Sequence, residues 1–143
     1  MMSWQSLASE SHYQTAIHIR DALQDGDVVD AQQGLEELIT ALSRSEKRAL
    51  KSQLVRLMLH IIKWQCQSER RSLSWLASIN DARDEIIDIQ EETPSLSNAV
   101  IHDMWEKCFV IAKRDAEAEM NKKATTHALS WDEVFTTVDR LEF

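Results

Sequence analysis

The sequence predicts an all-α, single-domain helical bundle of four longer helices and two short ones. Three observations carry that prediction. The 143 residues include only two glycines, Gly26 and Gly34, and one proline, Pro94, too few for the many turns of an all-β fold. Apolar residues recur at alternating spacings of four and three, as in Trp75, Ile79, Ala82, Ile86 and Ile89, which is the helical period. Tetrads of the form Ser-x-x-Glu stand in front of such runs and read as capping boxes. A chain of this length buries roughly 68% of its unfolded surface in one core.

Residues 1–11 are Ser-rich and weakly patterned, so they are expected to form a weakly ordered N-terminus ahead of a single domain over 12–143. Tyr13, Ala16, Ile17 and Leu23 give a short amphipathic helix from His12 to Leu23. Asp25-Gly26-Asp27 stops it, with Gly26 suited to the left-handed position beyond a helix end. Asp30 and Gln33 are expected to cap the next helix, whose stripe is Leu35, Leu38, Ile39 and Leu42. Gly34 costs that helix about 1 kcal/mol against Ala and is expected to mark a close helix crossing.

Ser43 and Glu46 read as a second capping box, placing the start of the central helix at about Arg44 and its end near Gln67. On a helical wheel Leu50, Leu54, Leu57, Ile61 and Trp64 share one side, and Val55, Met58, Leu59 and Ile62 widen the apolar face. The polar residues Ser52, Gln53, Arg56, His60, Lys63 and Gln67 fall in one narrow sector. A helix so apolar must contact neighbours on two sides. The helices near 73–92 and 95–120 are expected to pack on it, with the first hairpin covering its other side. Thr93-Pro94 reads as a stop and a restart. Ser130 to Glu133 is a third capping box, opening a short terminal helix with Trp131, Val134, Phe135 and Val138. Leu54, Leu57, Met58, Ile61, Ile62, Ile79, Ile86, Met104 and Cys108 are the expected core.

Charge is segregated along the chain. The net charge is −8, which disfavours a phosphate-binding protein as the default. Residues 44–71 hold eight basic groups against Glu46 and Glu69, a segment of +6, leaving −14 on the rest. The basic helix is expected to be answered by Glu36, Glu37, Asp84, Glu85, Asp88, Glu117 and Glu119, in exposed pairs worth under about 1 kcal/mol each. Cys66 and Cys108 read as reduced, buried thiols, with no zinc-type spacing. The N-terminus lacks the pattern of a signal peptide, and no apolar run approaches the ~20 residues of a membrane span. A soluble, cytoplasmic protein is expected.

The run from Leu42 to Ile79 resembles a bacterial family catalogued as domain of unknown function number twenty-nine. Three segments carry the resemblance: Leu42-Ser-Arg-Ser-Glu-Lys-Arg-Ala-Leu50, Leu59-His-Ile-Ile-Lys-Trp-Gln-Cys-Gln67 and Arg70-Arg-Ser-Leu-Ser-Trp75. Looser similarity at 23–42 and 94–119 extends it to about three quarters of the chain, and the segment after Met120 matches poorly. The resemblance implies an all-helical single domain and no assigned reaction. Two departures stand out: Glu37-Leu38-Ile39-Thr40 keeps one of three acids usual in the family, and Ser68 stands where a proline is common.

Several function classes can be weighed from the residues. A metal-assisted hydrolase would use Glu37 and His60 with Glu117 or Glu119, but the Glu-x-x-His pairs of helical metal sites are missing, so no metal or other cofactor is expected. His12, His18 and His102-Asp103 read as surface residues. No Gly-x-Ser-x-Gly elbow or phosphate loop occurs, and neither cysteine has a histidine nearby in a loop, so no catalytic residue is assigned. A nucleic-acid module would use Lys47, Lys51, Arg56, His60, Lys63, Arg70 and Arg71, against the repulsion of the acidic surround. The favoured reading is a non-enzymatic binding or regulatory module acting through protein–protein contacts, either with another protein or by self-association. Five tryptophans, with Trp4 and Trp131 in weakly patterned ends, are the kind of anchor an interface uses. The candidate binding strip is Arg56, His60, Lys63, Gln67, Arg70 and Arg71, with Glu37 as an acidic neighbour.

Overall fold

The structure is a computed structural model and describes residues 3–137. It is all α-helical: α1 (Trp4–Glu10), α2 (His12–Gln24), α3 (Val28–Cys66), a 3-10 turn (Ser68–Arg70), α4 (Leu73–Glu92), α5 (Asn98–Met120) and α6 (Trp131–Phe135). Val138, expected in the last helix, lies outside the described residues. The chain divides into two compact units, Met1–Arg48 and Ala49–Phe143.

In the first unit the N-terminal stretch is helical where weak order was expected. The Ser3 hydroxyl accepts the Ser6 N–H at 3.1 Å to cap α1. Ser11 then does double service, donating its N–H to Leu7 O at 2.9 Å and accepting the Gln14 N–H at 3.0 Å to open α2. Seven residues are too few to show a period, and α1 is fixed by a distant contact: the Trp4 indole N–H donates to Asp30 at 2.8 Å. The ring lies against Gly34, where an added Cβ would sit 2.7 Å from it. What comes close at Gly34 is thus the Trp4 ring, where a helix crossing was expected. Asp30 therefore is no cap. Asp27 accepts the Asp30 N–H at 3.1 Å, and α3 begins at Val28. Gly26 has φ +81° in the turn before it, as its position implies. Ala8, Thr15, Ile19, Ala31 and Gly34 are the unit's buried residues among those described.

A further correction concerns the break expected at Ser43. Helix α3 runs unbroken for 39 residues. Ser43-Arg-Ser-Glu46 permits a helix start but does not compel one, because no Gly or Pro interrupts the donors and acceptors on either side.

The second unit holds one continuous core. Helix α3 contributes Leu50, Leu54, Leu57, Met58, Ile61, Ile62 and Trp64. From α4 come Ile79, Ala82, Ile86 and Ile89, and from α5 Ile101, Met104, Cys108, Ala112, Ala116 and Met120. Every expected core residue is buried. The α4 bounds match the expected 73–92, with the Ser72 hydroxyl capping through the Trp75 N–H at 3.2 Å. The restart at Pro94 is corrected: Thr93 and Leu96 close a turn at 2.9 Å, Leu96 drops into the core, and α5 starts only at Asn98. Gln90 braces the turn from α4, donating to Leu96 O at 3.1 Å and to Asn98 at 3.0 Å. Asn121 ends α5 in the left-handed conformation. Ser130 and Glu133 form the expected capping box of α6, and Arg83 of α4 donates to Val134 O at 2.8 Å.

Candidate functional site

The strip residues Arg56, His60, Lys63, Gln67, Arg70 and Arg71 all belong to the second unit, and Glu37, half-buried, to the first. Two of the cations are occupied by aromatic rings. The Lys63 ammonium lies 4.7 Å from the centre of the Trp75 ring and 3.7 Å from Glu119. The Arg71 guanidinium covers the Trp64 ring at 4.8 Å and donates from Nε to the Trp64 carbonyl at 2.8 Å. Such contacts are worth about 0.5–2 kcal/mol each, more as water is excluded. Arg56 reaches Gln53 at 3.5 Å. His60 Nδ1 lies 2.9 Å from the Arg56 carbonyl, and since a carbonyl only accepts, that nitrogen carries the proton. Gln67 is buried, at 6% exposure. The Lys63–Glu119 pair is one of the acidic answers expected from the charge segregation. The strip thus ties α3 to α4 and α5.

Sequence reading missed a second cluster around the end of α3. The Gln65 amide donates to Glu133 at 2.7 Å, and His127 Nε2 lies 3.0 Å from the same carboxylate. Burial works to raise the Glu133 pKa, but hydrogen bonds from the Ser130 backbone, His127, Gln65 and the Ser130 hydroxyl outweigh it and bring it down to about 2. Beside this knot a hollow of about 370 Å³ is lined by Gln65, Cys66, Thr125, Thr126 and His127. Cys66 is half-buried there, whereas Cys108 is fully buried, and burial pushes the Cys108 thiol up against the opposing charges of Lys51 and Lys107. His127 is more than 60 positions from Cys66 in sequence, and no local spacing signals their sharing a hollow. Trp131 stacks on His102 at 4.5 Å, on Trp105 at 5.5 Å and, tilted, on Phe135 at 4.5 Å, while the Trp105 indole donates to Leu129 O at 3.1 Å. Four rings hold the terminal helix to α5. Among the described residues no three His, Cys, Asp or Glu side chains gather to hold a metal ion.

The first unit presents a different surface. Tyr13, Leu23, Val28, Val29, Leu35, Ile39 and Leu42 are exposed large hydrophobic residues. A groove of about 240 Å³ is lined by Ile19 and Leu23 of α2 and Val28, Ala31, Gln32 and Leu35 of α3. A separate polar hollow of about 410 Å³ holds Arg44, Arg48 and His12 together with Glu10, so both charge signs meet in it.

Among the described residues no helix is long and apolar enough to cross a membrane. No curated protein and no solved structure matches the chain. The helical order from α2 onward, with the Leu59–Gln67 and Arg70–Trp75 segments at the turn between α3 and α4, is what a match at family level has to span. It does so through residue 139, past Met120 where the resemblance was expected to weaken: the family described as Domain of unknown function DUF29 matches residues 10–139, and the chain belongs to it.

Proposed function

We propose that the chain is a non-enzymatic, cytoplasmic binding or regulatory module that works through protein–protein contacts, and that the first unit carries the contact surface. One observation supports this reading: seven large apolar side chains stand exposed between Tyr13 and Leu42. Single exposed apolar residues need no explanation, but a concentration of them marks an interaction surface. The second unit offers three such residues, Leu73, Ile87 and Val110, on α4 and α5.

A photo-crosslinking phenylalanine analogue placed at position 35 in the living host tests the proposal. A discrete adduct is expected at position 35 and not at position 110. Adducts at neither position, or equally at both, would overturn the reading.

A further inference from the structure

We infer that the α2–α3 groove of the first unit docks an amphipathic helix whose apolar face is flanked by lysine or arginine. The inference rests on the binding-module reading and names the class of partner. Helix α1 already occupies one place beside α2 and α3, with Trp4 on Gly34 and Asp30. The groove is another, lined by residues of α2 and α3.

Its lining has the spacing that another helix fits. Val28, Ala31, Gln32 and Leu35 recur at i, i+3, i+4 and i+7 on α3, and Ile19 and Leu23 at i, i+4 on α2. Rows of this kind form the ridges and grooves into which a helix inserts its own side chains. Leu35, Ile39 and Leu42 continue the α3 row, all exposed. From Val28 to Leu42 the row is about 21 Å long at 1.5 Å per residue, the length of a four-turn helix.

Charge selects among helical occupants. Residues 3–42 contain Glu10, Asp21, Asp25, Asp27, Asp30, Glu36 and Glu37 against Arg20 alone. Arg20 is paired with Asp21 at 3.4 Å, and Asp30 is engaged by Trp4. Asp25 and Asp27 stand in the turn joining the two groove helices. A second copy docking groove to groove would bring two such acidic segments together, and like charges across an interface cost several kcal/mol. A helix with basic flanks meets the apolar row and the acidic surround at once.

The test uses the full chain and two fluorescein-labelled peptides of about 16 residues, the length of that row. Both place leucine on one helical face; one has lysine at every other position, the other glutamate. Fluorescence anisotropy is expected to show the lysine peptide binding at least about tenfold more tightly than the glutamate peptide. Leu35→Asp is expected to weaken the lysine peptide by about tenfold or more, although it adds a negative charge, and Val110→Asp to leave it unchanged. Leu35→Ala, with circular dichroism of each variant, guards against a folding artefact by giving a smaller loss in the same direction.

Equal affinity for the two peptides overturns the inference, as does unchanged or tighter binding by Leu35→Asp, which would show charge attraction alone. A wild-type dimer that Leu35→Asp dissociates would assign the groove to a second copy and also overturn it. If position 35 crosslinks in the host while neither peptide binds, the binding-module reading stands and the basic helix falls. If both experiments are negative, both readings fall.

Discussion

Leu50, Leu54, Leu57 and Ile61 are at most 2% exposed, whereas Leu35, Ile39 and Leu42 are 42–53% exposed, and all seven lie on α3. The residue types and spacings are alike on the two sides of the boundary after Arg48. In the second unit α4 and α5 supply a facing set, from Ile79 to Ile89 and from Ile101 to Met120, and the apolar side chains close into a core. In the first unit the helix row Leu35, Ile39 and Leu42 remains at the surface. A periodic apolar stripe therefore states that a face will be covered without stating by what. Burial of a Leu or Ile side chain is worth roughly 1.5–3 kcal/mol, so leaving three of them at the surface forgoes a sizeable fraction of a domain's net stability.

The largest expected effect tests the buried side of that contrast. Ile61→Ala should lower unfolding free energy by about 2–5 kcal/mol in a denaturant titration, while Leu35→Ala should stay within about 0.5 kcal/mol. Equal losses would break the contrast. Next is Gly34→Ala, which forces a methyl group to 2.7 Å from the Trp4 ring. It should destabilise the first unit by about 1–3 kcal/mol through overpacking, exceeding the gain in helix propensity, and shift tryptophan fluorescence as Trp4 leaves Asp30. A stabilised variant with unchanged fluorescence would show that Trp4 is not fixed on Gly34.

The smallest effect belongs to the acid limb. The folded-state pKa of Glu133, about 2, lies below its ordinary 4.5. Its ionised form therefore stabilises the fold above pH 4.5, and that contribution fades as pH falls from 4.5 toward 2. Urea melts of Glu133→Gln should lose this part of the pH dependence, and a variant with the wild-type slope would refute the role given to the knot.

Two tetrads of the same Ser-x-x-Glu form show why the fold was only partly legible. Ser43-Arg-Ser-Glu46 and Ser130-Trp-Asp-Glu133 carry the same capping signature, yet the first lies inside α3 and the second begins α6. What differs is the approach. The residues before Ser43 are already helical, whereas the nine after Met120 are not, and Asn121 has turned left-handed. A cap acts where a chain enters a helix, so the signature has meaning only once the preceding segment is known. The α4 bounds and the core were readable because they depend on period and local caps. The partners of the strip residues were not readable. Trp64 and Trp75 lie close to Lys63 and Arg71 in sequence, but only the packing of α3 beside α4 brings ring and cation together. Of the Glu133 knot only the Ser130 capping box had a signal, since Gln65 and Glu133 meet across 68 positions.

The turn at Gly26 has a stereochemical consequence. Its φ of +81° is one that left-handed residues rarely adopt, yet nothing lies within 4 Å of the place a Cβ would occupy. The obstacle to a side chain there is chirality alone, not space. A D-alanine installed by peptide ligation would take the same backbone angles without strain and would narrow the unfolded ensemble, whereas L-alanine would oppose the turn. The handedness of a single residue thus decides whether the α2–α3 hairpin is reinforced or resisted.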